Sequence, residues 1–275
     1  MKKYYLIGQN IDNSLSPAIH NWIYSKYNID ALYSCKSIDS IEFETEIGNI
    51  RNNIEHDNIS GINITSPYKL LSSYRIFSPS LLISKESIHI NAINCIYKIK
   101  NKIMANNTDW YGFIKSLELN TINTSDYNIV IIGAGGASRA VIYGLQILGV
   151  TNIKIYNRTK GTIEINNMEY NVLDIEDFTR IKDSRLLIIN CLPNGIFENN
   201  FILSDKMISQ IEIFYDLNYI KSDIHDIMKI KDIKVIDGLE MLIYQAIKSI
   251  ELWSNQKIID RIDINDIKQY LLELK

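Results

Sequence analysis

Proline and glycine are scarce in this chain of 275 residues, at 4 and 12. Where they do occur, their positions carry unusual weight as structural punctuation. Cysteine is scarcer still. Cys35, Cys95 and Cys191 are odd in number and far apart, which excludes a disulfide framework or a cysteine metal motif and predicts three thiols in a reducing cytoplasm. The four histidines, His20, His56, His89 and His225, are equally scattered, so no zinc site is expected. No apolar run approaches ~18 residues, so no membrane span is expected. The opening Met1 to Gly8 is too short for a signal-peptide core. An excess of positive charge is also missing. Lys plus Arg is 29 against 32 for Asp plus Glu, and the net charge of −3 excludes a strongly basic nucleic-acid binder.

What is present is a core-forming composition, 46% hydrophobic and 22% charged, in a length that suits one large or two modest domains. Isoleucine (55) and asparagine (29) are in excess, a genomic bias that blurs propensity-based assignment. In the first hundred residues, strands are expected at Tyr4–Gly8, Ala31–Ile38 and Ile59–Ile64. Helices are expected over Pro17–Tyr27, capped by Ser16, and around residues 40–52. Ile93–Ile99 and Ile103–Ala105 read as a hairpin turning at Lys100-Asn101-Lys102, and Asp109–Leu119 as a helix. The cleanest local signal comes next. Strand Asn128–Ile132, the turn Gly133-Ala134-Gly135-Gly136-Ala137-Ser138, helix Ala140–Leu148 and strand Asn152–Tyr156 form a βαβ unit. Strands at Leu186–Cys191, Glu212–Leu217 and Lys234–Ile236 extend a parallel sheet. An amphipathic helix over 238–254 and a tail helix over about 263–274 follow. The fold class is α/β.

Six places can carry chemistry. In the glycine turn, Gly133 permits the tight bend. Gly135 lets backbone approach a pyrophosphate seated on the next helix N-terminus, and Ser138 stands where a third glycine is usual. At the end of the following strand stand Asn157, Arg158, Thr159 and Lys160, with no acid. An acid there suits the 2′-hydroxyl of NAD, whereas Arg158 suits the 2′-phosphate of NADP. In Asn63-Ile64-Thr65-Ser66-Pro67-Tyr68-Lys69, Pro67 can open a helix that presents Lys69. That lysine is either a solvated cation or an acid/base. Thr108 and Asp109 either cap the helix that follows or supply a carboxylate partner to Lys69. Ser14 and Ser16 either begin a helix or bind a carboxylate at its N-terminus, and His20 falls inside that helix. Gln245 lies one turn past Met241 and, if buried, needs a partner.

Taken together and in order, these segments resemble the shikimate dehydrogenase family from end to end. The resemblance is carried by Ser14-Leu15-Ser16-Pro17 with His20-Asn21, Asn63 through Lys69, Ala92-Ile93-Asn94, and Asn107-Thr108-Asp109. It continues through Gly133 to Ser138 with Arg139, Asn157-Arg158-Thr159, Asp216 with Tyr219, and Gly238 through Gln245. It implies two domains with the active site in the cleft between them. A substrate domain over residues 1–108 would be completed by C-terminal helices over 238–275, and a Rossmann-like NADP domain would span 109–237. It also implies a cytoplasmic oxidoreductase of aromatic amino acid (chorismate) biosynthesis, a monomer or homodimer with no nucleic-acid or membrane partner. The reaction is reversible reduction of 3-dehydroshikimate to shikimate by NADPH.

Carried onto this sequence, the resemblance makes Lys69 and Asp109 catalytic. Ser14, Ser16 and Tyr219 would bind the substrate carboxylate, and Thr65, Asn94, Asp109 and Gln245 the ring hydroxyls. Gly133, Ala134, Gly135, Gly136, Ala137, Ser138, Asn157, Arg158 and Thr159 would hold NADP, with Leu217 and Gly238 framing the nicotinamide and no metal required. The chain departs from the family at Gln9, Asn10 and Asn13 in the first loop, at Asn91 and Cys95, and at Cys191-Leu192 before Pro193. After Lys160 it has Gly161, Thr162 and Ile163 where a second basic residue is usual, and the stretch to Asp174 is short. The missing second base predicts a weaker 2′-phosphate clamp, and the departures together bear on cofactor affinity more than on the reaction. The competing readings are an NAD-preferring quinate/shikimate dehydrogenase and a sensor that keeps the pocket without turnover.

Overall fold

The computed structural model describes residues 1–70, 81–201 and 203–274. The chain divides into two compact units, Met1–Gly112 with Leu242–Lys275, and Phe113–Met241. Both are α/β, as expected.

The first unit is built on a mixed sheet. β1 (Lys2–Gly8), β2 (Ala31–Ser37) and β3 (Gly61–Ile64) run parallel, with β1 in the middle. β5 (Cys95–Ile99) pairs antiparallel with β3 and with β6 (Lys102–Asn106), and β4 (Leu81–Ile83) completes the order β2-β1-β3-β5-β6-β4. The hairpin turn is shorter than expected. It is Lys100-Asn101, with Lys100 at φ 54°, and Lys102 is already paired. α1 spans Ser16–Lys26, and α2 spans Phe43–Glu55. In α2 the residues Phe43, Ile47, Ile50 and Ile54 recur at helical spacing and pack with Ile7, Ile62, Ile64 and Ile96 of the sheet. A second buried group is aromatic. His20 stacks on Tyr33 at 3.9 Å between ring centroids, and Trp253 stacks on Tyr4 at 4.2 Å. α3 (Lys85–Ile90) and β4 were not legible in the sequence, because both are short.

Two expectations near the sheet are corrected. Ser16 is the first residue of α1 rather than its cap. Leu15 holds the cap position, and Ser14 Oγ accepts the Ser16 N–H at 3.2 Å. Pro67 opens no helix; residues 66–69 form a turn, and Leu70 bridges to Ala92.

The second unit is a seven-stranded sheet of order β13-β12-β11-β7-β8-β10-β9. Its strands are β7 (Asn128–Ile132), β8 (Ile153–Asn157), β9 (Gly161–Ile165), β10 (Met168–Asp174), β11 (Leu186–Asn190), β12 (Ile211–Asp216) and β13 (Lys234–Ile236). All neighbours are parallel except β9 and β10. This corrects the expected parallel sheet at its edge. The link from β8 to β10 is a strand, turned by Asn166 and Asn167 at φ 52° and 61°. Two successive left-handed residues suit a two-residue hairpin, but in an asparagine-rich chain that signal is lost. Around the sheet run α5 (Gly136–Ile147), α6 (Ile196–Asn200), α7 (Asp205–Ile208) and α8 (Asp223–Ile230). α4 (Asp109–Leu119) and α9 (Leu239–Ser254) carry the chain across the boundaries between the units, and α10 (Ile264–Glu273) belongs to the first.

Candidate functional site

In the first unit, strand direction collects the predicted residues at one sheet edge. β1 and β3 are parallel, so the loop bearing Ser14 and Ser16 and the turn bearing Thr65 to Lys69 both leave that edge. β5 and β6 are antiparallel and pair Cys95 with Asn106, which brings Asn94 and the Asn107–Asp109 segment to the same edge. Gly8 is needed there, because an added Cβ would stand 2.4 Å from Thr65 Cγ2. Ser14 Oγ is 3.2 Å from Ser16 Oγ.

Lys69 Nζ donates to Asp109 Oδ2 at 2.8 Å, with both side chains largely shielded. The carboxylate is no helix cap. Its other oxygen accepts from Asn94 Nδ2 at 2.8 Å, and Asn107 Oδ1 accepts the Asp109 N–H at 3.0 Å. Behind this pair lies a buried polar layer. Asn94 Oδ1 accepts the Thr108 N–H at 2.7 Å, and Gln245 Oε1 lies 3.4 Å from both Asn94 Nδ2 and Thr108 Oγ1. Asn63 donates to Asn94 O at 3.0 Å and to Ser249 Oγ at 2.9 Å, while Tyr33 donates to Asn63 Oδ1 at 3.0 Å. Ser249 escaped the sequence reading. It lies four residues past Gln245, a spacing that puts both on one face of α9. The layer holds one lysine and one carboxylate in fixed geometry, with Asn63, Asn94, Thr108 and Ser249 hydrogen-bonded behind them. That arrangement can bind a polyhydroxylated ring and deliver a proton at Lys69.

His20, inside α1, faces Tyr24 Oη at 3.4 Å through Nδ1 and is fully buried in the aromatic group, so its part is structural. Burial also pushes the Cys95 thiol up to about 12, which leaves it inert at neutral pH.

In the second unit, β7 has β8 on one side and β11 on the other, so strand order reverses there. Crevices at such points are the usual nucleotide sites of open α/β sheets. Gly133 takes φ 107°, donates to Tyr156 O at 2.7 Å, and has Cys191 so close that a Cβ would meet its carbonyl carbon at 3.3 Å. Gly135 is exposed, with open space where a Cβ would be. Ser138 is buried and turns its hydroxyl onto Gly135 O at 2.7 Å, so it shapes the turn. Arg139, in the first turn of α5, has a buried Nε with no partner among the described residues. A cation at the positive end of a helix dipole is unfavourable unless an anion joins it. The open glycine, the free N–H groups of the first helical turn and this unpaired Arg139 Nε together fit a pyrophosphate.

At the end of β8, Asn157 Nδ2 donates to Thr159 O at 3.1 Å, and Arg158 and Thr159 are exposed. Asp216 ends β12 and gathers the neighbouring loops. It accepts from Asn190 Nδ2 at 3.1 Å, from Asn218 N–H at 3.0 Å and from Asn218 Nδ2 at 2.7 Å, and it lies 2.9 Å from His225 Nε2. Asn218 also donates to Leu192 O at 3.0 Å. Leu217 sits against Gly238, where a Cβ would come within 1.9 Å of Leu217 O. Tyr219 is half-buried on the same loop, in this second unit.

Residues 6–96 match the family described as shikimate dehydrogenase substrate binding domain. Over 100% of this chain and 97% of its own length, shikimate dehydrogenase (NADP(+)) of Caldicellulosiruptor saccharolyticus is 34% identical. The enzyme of that name from Clostridium perfringens is 31% identical over 98% of each chain. Among solved structures, shikimate dehydrogenase 1 from Peptoclostridium difficile superposes with a TM-score of 0.83 at 30% identity, covering 100% of this chain and 98% of that one. The likeness therefore spans both units. On that ground the chain belongs to the shikimate dehydrogenase family.

Proposed function

We propose that the chain is an NADP-dependent shikimate dehydrogenase, an enzyme that interconverts 3-dehydroshikimate and shikimate. The observation that carries this reading is the Lys69–Asp109 pair, held at 2.8 Å at a sheet edge that also bears Thr65, Asn94 and Gln245. Reduction of a ketone adds a hydride to the carbonyl carbon and a proton to its oxygen. NADPH, when bound, supplies the hydride. The Lys69 ammonium donates a hydrogen bond to the ketone oxygen, offsets the charge that grows there and transfers its proton. Asp109 keeps the ammonium aimed, and its own position is fixed by Asn94. In the reverse direction, neutral Lys69 accepts the hydroxyl proton. Thr65, Asn94 and Gln245 present hydroxyl and amide groups to the ring hydroxyls, and Ser14 and Ser16 present two hydroxyls to the substrate carboxylate.

In the second unit, the backbone from Gly133 to Ser138 and the guanidinium of Arg139 hold the pyrophosphate. Arg158, with Asn157 and Thr159, faces the 2′-phosphate, which supports NADP over NAD. Leu217 and Gly238 border the nicotinamide. Free thiols and the absence, among the described residues, of a helix long and apolar enough to cross a membrane support a cytoplasmic enzyme. The test is the rise in nicotinamide absorbance with shikimate or quinate against NADP+ or NAD+. Turnover of shikimate with NADP+ is expected, and no turnover with any pair overturns the reading.

A further inference from the structure

Where the chain leaves β8, three charges determine how the 2′ position of a bound dinucleotide is met. Arg158 is exposed and has no partner among the described residues. Lys160 is not free. Its ammonium is 2.8 Å from Asp174 Oδ2. Asp174 ends β10, the strand next to β8, and pairs in register with Asn157, the residue before Arg158. Neighbouring strands lie ~4.8 Å apart, so Asp174 is one strand spacing from the end of β8 at the edge where the adenosine ribose is held. It is also fixed in place, since it accepts the Glu176 N–H at 3.0 Å at the start of the 3-10 helix Ile175–Arg180. Asp177 in that helix is taken up by Arg180 at 2.8 Å. The arrangement follows from the β9 strand, which here fills the link between β8 and β10 and sends Lys160 back toward the β10 end.

A carboxylate at this edge serves a ribose 2′-hydroxyl and opposes a 2′-phosphate. We propose that Asp174 is a specificity-determining residue of this chain, which holds Lys160 as its own counterion and so limits discrimination for NADP over NAD to what Arg158 supplies. The inference rests on the functional reading above and concerns the cofactor end of that same site. The Lys160 ammonium holds the Asp174 carboxyl below the usual carboxylate range, so the acid stays charged at neutral pH.

The test is calorimetric titration of the whole chain with NADP+ and, separately, NAD+, without substrate and therefore without turnover. Asp174→Asn keeps an oxygen for the Glu176 N–H and is expected to tighten NADP+ about fivefold, the effect of one charge at close range near solvent, with NAD+ held within about twofold. Lys160→Met, at a side chain 66% exposed, leaves Asp174 unopposed and is expected to weaken NADP+ alone. The double variant returns NADP+ close to the unsubstituted value. A purely structural pair would move both nucleotides together. That outcome, or unchanged NADP+ affinity in both single variants, overturns the inference while leaving the enzyme assignment standing. If the unsubstituted chain binds neither nucleotide, the functional reading falls and this inference with it.

Discussion

Lys69 and Asp109 are 40 residues apart in the chain and 2.8 Å apart in space. One stands on a turn after β3 and the other begins α4, and only the reversal of the β5–β6 hairpin brings them together.

Lys69→Ala removes the proposed proton donor and leaves the rest of the edge in place. We expect kcat to fall by about 10²–10⁴. Shikimate affinity, measured by calorimetry, should change by less than about fivefold, since the ring hydroxyls retain Thr65, Asn94 and Gln245. An unchanged kcat contradicts the role given to Lys69.

Asn94→Ala leaves the buried Thr108 N–H without its acceptor at 2.7 Å and removes one of the donors to Asp109. A buried unpaired donor costs about 1–3 kcal/mol, so urea unfolding should show a loss in that range. Activity should fall as well, because Asp109 is then held by Lys69 alone among its side-chain donors. A variant with full stability and full kcat refutes the proposed layer.

Gly238→Ala places a methyl where Leu217 O is 1.9 Å away, and that neighbour is backbone. The loop after β12 must shift, at a cost of about 1–3 kcal/mol. Because the loop is tied to Asp216 through Asn218, cofactor KM should rise with it. Thermal unfolding and cofactor titration measure the two effects, and neither changes if the loop is slack.

Arg139→Met should separate stability from binding. The guanidinium sits at the positive end of α5 with its buried Nε unpaired, so its removal should leave the free chain as stable or more stable, by about 0.3–1 kcal/mol. NADP+ and NAD+ should both bind more weakly, and by similar factors, because the pyrophosphate is common to them. Loss confined to NADP+ places Arg139 at the wrong end of the nucleotide.

His20 is buried, and desolvation lowers its pKa from 6.5 to about 3. The unfolded chain therefore takes up a proton that the folded chain refuses as pH falls below about 6.5. Stability from this residue is fully present above that pH and is lost progressively down to about pH 3, at roughly 1.4 kcal/mol per pH unit. His20→Phe removes the titration while keeping a ring against Tyr33 and Trp253. Urea unfolding at pH 7, 6 and 5 should show the substituted chain losing less stability than the original. Parallel losses mean that His20 is solvated or charged in the fold.

Elements with a strong local cause were legible from the residues. Asn128–Ile132 with its glycine turn, and the helix Asp109–Leu119, lie where the pattern puts them. Short elements such as β4 and α7 were not legible, nor was the Asn166-Asn167 hairpin, because isoleucine and asparagine recur too often here to mark strand and turn. Ser16 was read as a helix cap, but Ser14, two residues earlier, supplies the hydroxyl that accepts the first helical N–H. Lys160 stands two residues after Arg158 at the end of β8. Its pairing with Asp174 depends on strand order and is invisible in sequence.

The sequence by itself determined the family, the α/β class and the residue types on which the chemistry is proposed to rest, since each motif is a local run whose spacing survives without knowledge of the fold. Tertiary structure decided which of those runs meet. Pairing of β5 with β3 and β6 joins Lys69, Asn94 and Asp109, and the packing of α9 in the first unit brings Gln245 and Ser249 to them. The register of β10 against β8 sets Asp174 beside Asn157, at the end of β8. The physical reason is the same in each case. Hydrogen bonds and ion pairs act over about 3 Å, and only strand register and helix packing bring residues distant in the chain within that range.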